Sequence, residues 1–206
     1  LDASRFFLLR EFPFGADGSY SHEAVVSRKN ADLANNLGNL AQRSLSMVAK
    51  NCGAAVPEPG EFTEADRAVL AQVDALLERS RSAYAEQDFH DALEETWRVL
   101  GEVNAYFADQ APWVLRKTDE PRMRTVLYVT LQAVRRVALL AQPVMPGSAS
   151  RLLDLLGVPA EGDAGRTGAS GTGPRSFAAF HEDLVPGTPL PAPQPVFPRH
   201  EEPAED

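Results

Sequence analysis

A long run without proline extends from residue 22 to residue 51 and carries the signals of a single helix. Ser21 precedes the run, and a serine at this position accepts a hydrogen bond from a free backbone N–H of the first turn. Gly53 follows the run, and glycine commonly closes helices because it adopts the left-handed conformation without strain. Leucines recur at helical spacing, at Leu33, Leu37, Leu40 and Leu45. The pattern therefore predicts one long helix with an apolar face turned to a core.

The stretch NNLGNLAQR, residues 35–43, opposes helix formation within this run. Asparagine competes for backbone hydrogen bonds and glycine loses backbone entropy, so both are poor helix formers. Asn39 and Arg43 are four residues apart and share one helix face. Their amide and guanidinium groups have the donors and acceptors needed to read the edge of a nucleic-acid base. An ordinary polar patch is the alternative, and the pair alone does not decide.

Further helical runs follow, separated by short links with capping and turn residues. They are predicted from an Asp2 cap to Leu9, from a Thr63–Asp66 capping box through Leu77, from an Asp88 cap to about Asp109, from Pro121 to Ala141, and from Ser148 to Leu156. No stretch alternates convincingly at the period of a strand. Short links between helices are typical of antiparallel neighbours. The predicted fold class is therefore all-α, an up-and-down helical bundle with an extended Pro-rich C-terminal tail.

The composition changes near residue 160, which suggests three parts of the chain. Residues 1–20 form a connecting segment, residues 21–159 the bundle, and residues 160–206 a Gly-rich linker followed by the Pro-rich tail. A Gly/Ser/Thr linker buries little apolar surface, and the proline content of the tail requires an extended backbone. The tail is compatible with disorder, whereas its apolar side chains favour docking on the bundle: Leu190, Val196 and Phe197.

The sequence lacks the motifs of several functional classes. Phosphate-binding loops of the GxxxxGK[ST] and GxGxxG types and the GxSxG elbow do not occur, so we predict no catalytic residues here. The single Cys52 cannot form an internal disulfide, which fits the reducing cytoplasm. The histidines and the cysteine show no metal-ligand spacing, so no metal site is predicted. No apolar run approaches the roughly 20 residues that span a bilayer, so no membrane contact is expected.

The net charge of −9 argues weakly against nucleic-acid binding, but the charge is uneven along the chain. Local basic clusters matter more than the total for binding a polyanion. Two clusters are present in the sequence: Arg116 and Lys117 with Arg122 and Arg124, and the pair Arg135–Arg136.

The two tryptophans differ in their surroundings. Trp97 belongs to an apolar stripe at helical spacing and is predicted to be core. Trp113 follows DQAP in a link between helices and precedes Arg116 and Lys117. A tryptophan beside basic residues can serve as a stacking platform for a base. The alternative is that Trp113 closes the end of the bundle by packing against its neighbours.

These residues carry a resemblance to class I aminoacyl-tRNA synthetases. The segment at residues 28–43 reads R-x-N-x-D-L-x-N-x-x-G-N-L-x-x-R, which resembles the first anticodon-domain helix of the methionine, leucine, isoleucine and valine branch. The start, LDASRFFLLREFPFGADGSYS, resembles the segment that follows the KMSKS loop of the catalytic domain. The motif N-x-Y-x-x-x-Q-A-P-W and the tail GTPLPAPQPVFPR are similar to methionyl-tRNA synthetases. The resemblance covers nearly the whole chain except the linker.

The resemblance implies roles for three residues. The family reads the anticodon with an Asn and an Arg four apart on the first bundle helix and with the Trp of the A-P-W link. Asn39, Arg43 and Trp113 match them, and the implied partner is tRNA(Met) with its CAU anticodon. Trp113 would stack on the first anticodon base. From charge and position we add Arg116 and Lys117 as phosphate contacts.

The resemblance also implies what lies elsewhere. The HIGH and KMSKS motifs that bind ATP are absent, so we expect this chain to be a piece of a longer protein and to aminoacylate nothing by itself, with no cofactor in this fragment. The parent enzyme would be a cytoplasmic methionine–tRNA ligase that uses ATP with Mg and holds this chain against its own catalytic domain.

Two alternatives remain open from the residues. The first is the anticodon domain of a related leucine, isoleucine or valine synthetase, against which the A-P-W link argues. The second is a helical protein-interaction module whose Pro-rich tail binds a partner, which the net acidity and the PLPAPQP stretch motivate.

Overall fold

The computed structural model describes residues 1–13, 15, 20–160 and 173–200, and these are mostly helical. Within them lie α1 (Asp2–Glu11), α2 (His22–Arg28), α3 (Asn39–Asn51), α4 (Glu64–Asp74), α5 (Leu76–Ala85), α6 (Phe89–Gln110), α7 (Pro112–Thr118), α8 (Glu120–Ala141) and α9 (Pro146–Leu155). A π-helical segment, Lys29–Gly38, joins α2 to α3, and a 3-10 turn covers Phe177–Ala179. The described residues contain no strand, only an isolated antiparallel bridge between Ala55 and Pro189.

The central helix of the bundle is α8. Nearly every residue between Met123 and Ala141 is buried, and α8 packs against α3, α4, α6, α7 and α9. A helix that is buried all round lies at the core of its domain. The predicted all-α helical bundle is thereby confirmed. None of the helices among residues 1–13, 20–160 and 173–200 combines the length and the apolar character needed to cross a membrane.

The long helix predicted from residue 22 to residue 51 is continuous, and Ser21 caps it. The Ser21 side chain accepts a hydrogen bond from the Ala24 N–H at 3.1 Å. The first part of the run that opposed helix formation, residues 35–38, falls in the π-helical segment, whose wider turns are often found at functional sites. Here the helix widens and then returns to α geometry at Asn39.

Side-chain amides of the π-helical segment tie it to other parts of the chain. Asn36 accepts a hydrogen bond from the Asn104 amide on α6 at 2.6 Å. Asn30 donates to the His200 carbonyl at 3.1 Å and accepts from the His200 N–H at 2.8 Å. Gly38 occupies a crowded position in this segment. A Cβ atom at Gly38 would lie 2.8 Å from the Leu33 carbonyl oxygen and 3.3 Å from the Phe197 side chain, so the glycine allows close approach of both the backbone and the docked tail.

The predicted Asp2 cap on α1 is wrong. The cap position is Leu1, and it provides no side-chain hydrogen bond. Asp2 instead accepts a hydrogen bond from the Ser148 N–H at 2.6 Å, in the first turn of α9. The carboxylate thus satisfies a free backbone donor of another helix, which joins the first and last helices of the bundle.

Two other boundaries differ from the sequence prediction. The capping box of Thr63 and Asp66 is confirmed, but the predicted single helix breaks at Ala75 into α4, which packs against α6 and α8, and α5, which packs against α6. The last helix begins at Pro146, since proline suits the first turn of a helix. The Gly-rich linker at residues 161–172 lies outside the described residues.

The described part of the tail is docked on the bundle, as its apolar residues suggested. Phe180 has 0% of its surface exposed. Backbone hydrogen bonds join the tail to the loop after α3: the Val56 N–H donates to the Thr188 carbonyl at 2.9 Å, and the Leu190 N–H donates to the Ala54 carbonyl at 2.8 Å. The tail therefore contributes Phe180 to the core and is bonded to the loop after α3.

The Arg135–Arg136 pair is not the surface basic cluster that the sequence suggested. Both side chains are buried. Arg135 donates to the carbonyls of Ala179, Phe180 and Glu182 at 2.6, 3.1 and 2.8 Å. Buried charges require such partners because desolvation is costly. These arginines consequently fix the start of the tail rather than face a polyanion.

Removing the buried ring of Phe180 should test whether the tail contributes to the stability of the bundle. Phe180→Ala should lower the free energy of unfolding by about 3–5 kcal/mol, because a large side chain leaves a cavity in the core. Urea unfolding monitored by circular dichroism measures this value.

Val185→Ala is the matched control, since Val185 is 68% exposed in the same tail. Its effect should stay within about 0.5 kcal/mol. Equal stability of the Phe180 and Val185 variants would show that the tail does not belong to the cooperative unit.

Candidate nucleic-acid interface

The segment that carries Trp113 is helical, which corrects the prediction of an irregular link. α6 ends at Gln110, Ala111 adopts the left-handed conformation with a φ of 44°, and Pro112 occupies the first turn of α7. A proline there costs no hydrogen bond and fixes the entry angle. Trp113 follows at once and is 39% exposed. A sharp turn between two helices thus presents the indole at the end of the bundle.

Trp113 is in contact with residues of two other helices. Its ring centroid lies 5.9 Å from that of Phe107 on α6, in an edge-to-face arrangement. The Cζ atom of Arg43 on α3 lies 5.1 Å from both ring centroids. A guanidinium at this distance from two aromatic faces is held by cation–π attraction. The structure therefore brings Arg43 and Trp113 together.

Phe107 belongs to the same apolar stripe of α6 as Trp97, and its second role was not predicted from the sequence. It is buried, yet it supports both Trp113 and Arg43. A core position one helical turn before the end of α6 is the signal that could have indicated this role.

Asn39 lies one turn before Arg43 on the same face of α3, and both side chains are exposed. Asn39 lines a surface groove with Asn35 and Gln42, and Phe197 of the tail forms the opposite wall. The polar amides of this face are therefore accessible beside the aromatic site. Among the described residues, Asn39 forms no hydrogen bond with Trp113 or Arg43, whereas Arg43 contacts the Trp113 ring.

The first basic cluster divides into two groups. Arg116 and Lys117 are exposed in the last turn of α7, and neither forms an ion pair with a carboxylate of the described residues. Arg124 is paired with Glu120 at 2.8 Å, and Arg122 is paired with Asp66 at 2.5 Å. Arg116 and Lys117 remain available to an anion, whereas Arg122 and Arg124 are engaged within the protein.

The Asp66–Arg122 ion pair belongs to a buried hydrogen-bond network that joins α4, α6 and α8. Asp66 has 0% exposure and accepts hydrogen bonds from the Arg122 guanidinium, the Tyr106 hydroxyl and the Thr63 N–H. Burial by itself raises the pKa of a carboxyl group. Here the hydrogen bonds outweigh burial and lower the pKa of Asp66 to about 2. Burial and the Asp66 contact raise the pKa of Tyr106.

A cluster at the start of α6 has metal-ligating side chains that the sequence spacing did not suggest. Potential ligand atoms of His90, Asp91 and Glu94 lie within 4.8 Å of one another. The geometry fits a structural role, because the Nδ1 atom of His90 lies 2.6 Å from the Arg10 carbonyl and Glu94 pairs with the Arg10 guanidinium at 3.6 Å. These contacts hold α1 against α6.

Comparison with known proteins shows the family of this chain. The family described as the anticodon binding domain of methionyl tRNA ligase matches residues 56–203. A second family, class I (M) tRNA synthetases, matches residues 1–45. The chain belongs to the methionyl-tRNA synthetase family. It contains that family's anticodon-binding domain, and the leucine, isoleucine and valine alternative is thereby set aside.

Individual members of the methionyl-tRNA synthetase family are closely similar. Methionine–tRNA ligases of Brucella suis and Mycobacterium tuberculosis are 57% and 56% identical over 98% of this chain. The chain spans 37% of the length of the first and 38% of the second. Apo methionyl-tRNA synthetase of Mycobacterium tuberculosis has a TM-score of 0.90 at 56% identity, covering 98% of this chain and 39% of that chain. The same enzyme in complex with methionyl-adenylate has a TM-score of 0.88.

The lowered pKa of Asp66 predicts a specific loss of stability in acid. Because the folded pKa, about 2, lies below the ordinary 3.8, the ionised carboxylate stabilises the fold above about pH 4. This contribution, about 2 kcal/mol, should be lost as the pH falls toward 2. Asp66→Asn should remove this part of the pH dependence, which urea unfolding between pH 5 and pH 2 measures.

Glu120→Gln is the control, since the Glu120–Arg124 pair is exposed and exposed pairs contribute little. This variant should follow the pH dependence of the parent chain. An Asp66→Asn variant that also follows it would contradict the assignment of Asp66.

Proposed function

We propose that this chain binds the anticodon loop of tRNA(Met) and reads its CAU anticodon. The observation that carries the proposal is the half-exposed Trp113, held against Phe107 and beside Arg43 at the end of the bundle. Bases stack on aromatic side chains whatever their sequence. The first anticodon base would stack on Trp113, and hydrogen bonds would supply selectivity.

Arg43 and Asn39 would supply these hydrogen bonds. The guanidinium of Arg43 presents a planar set of donors, and the Asn39 amide offers both a donor and an acceptor. Arg43 is held by two rings before any ligand arrives, which lowers the entropy cost of binding. We assign both residues to base edges and to the adjacent RNA backbone.

Arg116 and Lys117 would bind phosphates next to the stacked base. They lie on α7 with Trp113, within one turn of the indole, and both are exposed. Phosphate contacts fix the position of a nucleic acid without reading its sequence. A local basic pair also explains how a chain with a net charge of −9 can bind a polyanion.

For the whole protein we propose methionine–tRNA ligation in the cytoplasm with ATP and Mg. Residues 1–20 would connect this chain to the catalytic domain, residues 21–159 would form the anticodon-binding bundle, and the tail within residues 160–206 would brace the bundle against the catalytic domain. The docking of Phe180 and Phe197 supports a bracing role for the tail. It also argues against a tail that is free to capture a partner protein.

Replacing Trp113 should weaken tRNA binding if a base stacks on the indole. Trp113→Ala should cost about 1–3 kcal/mol of binding free energy, whereas Trp113→Phe should retain part of it. Fluorescence anisotropy of labelled tRNA(Met) measures the dissociation constant. A tRNA with a changed first anticodon base should bind the parent chain more weakly. Replacing Trp113 should reduce the affinity for this tRNA by less than it reduces the affinity for tRNA(Met).

Tyr20→Ala is the matched control, because Tyr20 is an aromatic residue with 68% exposure on a different part of the surface. It should leave tRNA affinity unchanged. Equal affinity of the Trp113 and Tyr20 variants would exclude stacking, and indifference to the first anticodon base would exclude anticodon reading.

The salt dependence of binding tests the phosphate contacts separately. Replacing Arg116 and Lys117 by glutamine should reduce the slope of log affinity against log salt by about 1 for each residue. The affinities for tRNAs of different anticodon should fall by a similar factor, because phosphates carry no sequence information.

Arg98→Gln is the control for charge, since Arg98 is exposed on α6 and pairs with Glu95 at 2.7 Å. The slope should not change in this variant. An unchanged slope after replacement of Arg116 and Lys117 would place the phosphates elsewhere.

A further inference from the structure

One guanidinium joins the two ends of α7, the helix that carries Trp113. Arg122 lies in the first turn of α8, directly after α7. It donates to the side-chain carbonyl of Gln110 at 2.6 Å, and Gln110 is the last residue of α6, directly before α7. This hydrogen bond closes a loop whose two ends are Gln110 and Arg122 and whose middle is α7. The entry and the exit of the helix are therefore fixed to each other.

The guanidinium that closes this loop is itself held rigidly. Two of its nitrogens donate to the buried Asp66 carboxylate at 2.5 and 2.7 Å. Thr63 and Tyr106 donate to the same carboxylate. A bidentate pair between a guanidinium and a carboxylate sets orientation as well as position. Arg122 can thus act as a fixed reference point for Gln110.

The turn that Gln110 enters needs this support. Ala111 has a φ of 44°, a conformation that costs energy for any residue with a Cβ atom. The Ala111 turn directs Pro112 and then Trp113 away from the axis of α6. Relaxation of this turn would rotate the first turn of α7 and move the indole away from Phe107 and Arg43.

The geometry points to Gln110 and Arg122 as positioning residues for Trp113. Neither Gln110 nor Arg122 touches the RNA in this proposal. The proposal rests on the proposed function of Trp113 as the stacking platform. Their hydrogen bond locks the Ala111 turn, so that the indole is placed before RNA binds. The buried Asp66 serves the same purpose by orienting Arg122.

Gln110→Leu is the decisive variant, because it removes the acceptor and leaves the Asp66–Arg122 pair intact. The two tryptophans of the chain give an internal control when both are labelled with 5-fluorotryptophan. In the fluorine NMR spectrum without RNA, the Trp113 resonance should shift or broaden, and the resonance of the buried Trp97 should not. Affinity for tRNA(Met) should fall by roughly tenfold, since part of the stacking contribution is lost.

Gln110→Glu provides a rescue, because a carboxylate also accepts a hydrogen bond from Arg122. The Trp113 resonance of this variant should return to the position of the parent chain. Arg122→Met should shift the Trp113 resonance. Arg124→Met is its matched control, because Arg124 lies two residues further along α8 and donates to the exposed Glu120 rather than to Gln110. Arg124→Met should leave the Trp113 resonance in place.

An unchanged Trp113 resonance in Gln110→Leu would overturn the positioning role. So would a shifted resonance with full tRNA affinity, provided that Trp113→Ala weakens binding. Failure of the proposed function would look different from failure of the positioning role. If Trp113 does not bind RNA, Trp113→Ala would bind tRNA normally, whereas the spectra without RNA would still report the effect of Gln110 on the indole.

Discussion

The burial of α8 on all sides is the constraint on which the rest of the molecule depends. A polar group inside a protein must find a partner there, because its hydration is lost. The polar side chains of α8 consequently recruit distant segments. Arg122 binds Asp66 of α4, Gln132 accepts a hydrogen bond from the Leu184 N–H, and Arg135 binds backbone carbonyls of the tail. One buried helix thereby organises both the aromatic end of the bundle and the docking of the tail.

The candidate interface is built on this rigid framework rather than on a loop. Trp113 projects from α7, and its two neighbours, Phe107 and Arg43, project from α6 and α3. α3 and α6 have apolar faces fixed in the core. α7 is anchored by the buried Pro112 and the partly buried Leu115. Such preorganisation lowers the cost of binding a flexible RNA loop.

Local signals in the sequence predicted most helices, whereas long-range contacts escaped it. Ser21 and the Thr63–Asp66 box marked helix starts correctly, because capping depends on neighbouring residues. Resemblance to a family suggested Asn39, Arg43 and Trp113 as anticodon-binding residues, and that role stays a prediction. Local charge clustering was misleading at Arg135–Arg136, which looked like a surface cluster, since their partners lie more than forty residues away along the chain. The Asp66–Arg122 contact was missed for the same reason, with a separation of 56 residues.

The docked tail also has a consequence for biosynthesis. Asn30 and His200 are hydrogen-bonded across a separation of 170 residues, and Phe180 enters a core whose helices all precede it in the chain. During translation, α8 emerges before the carbonyls that satisfy Arg135. The buried guanidinium therefore remains without these partners until residues 179–182 have emerged from the ribosome. Contacts of such long range form late in folding, so chaperones would meet this domain with its central helix still partly uncovered.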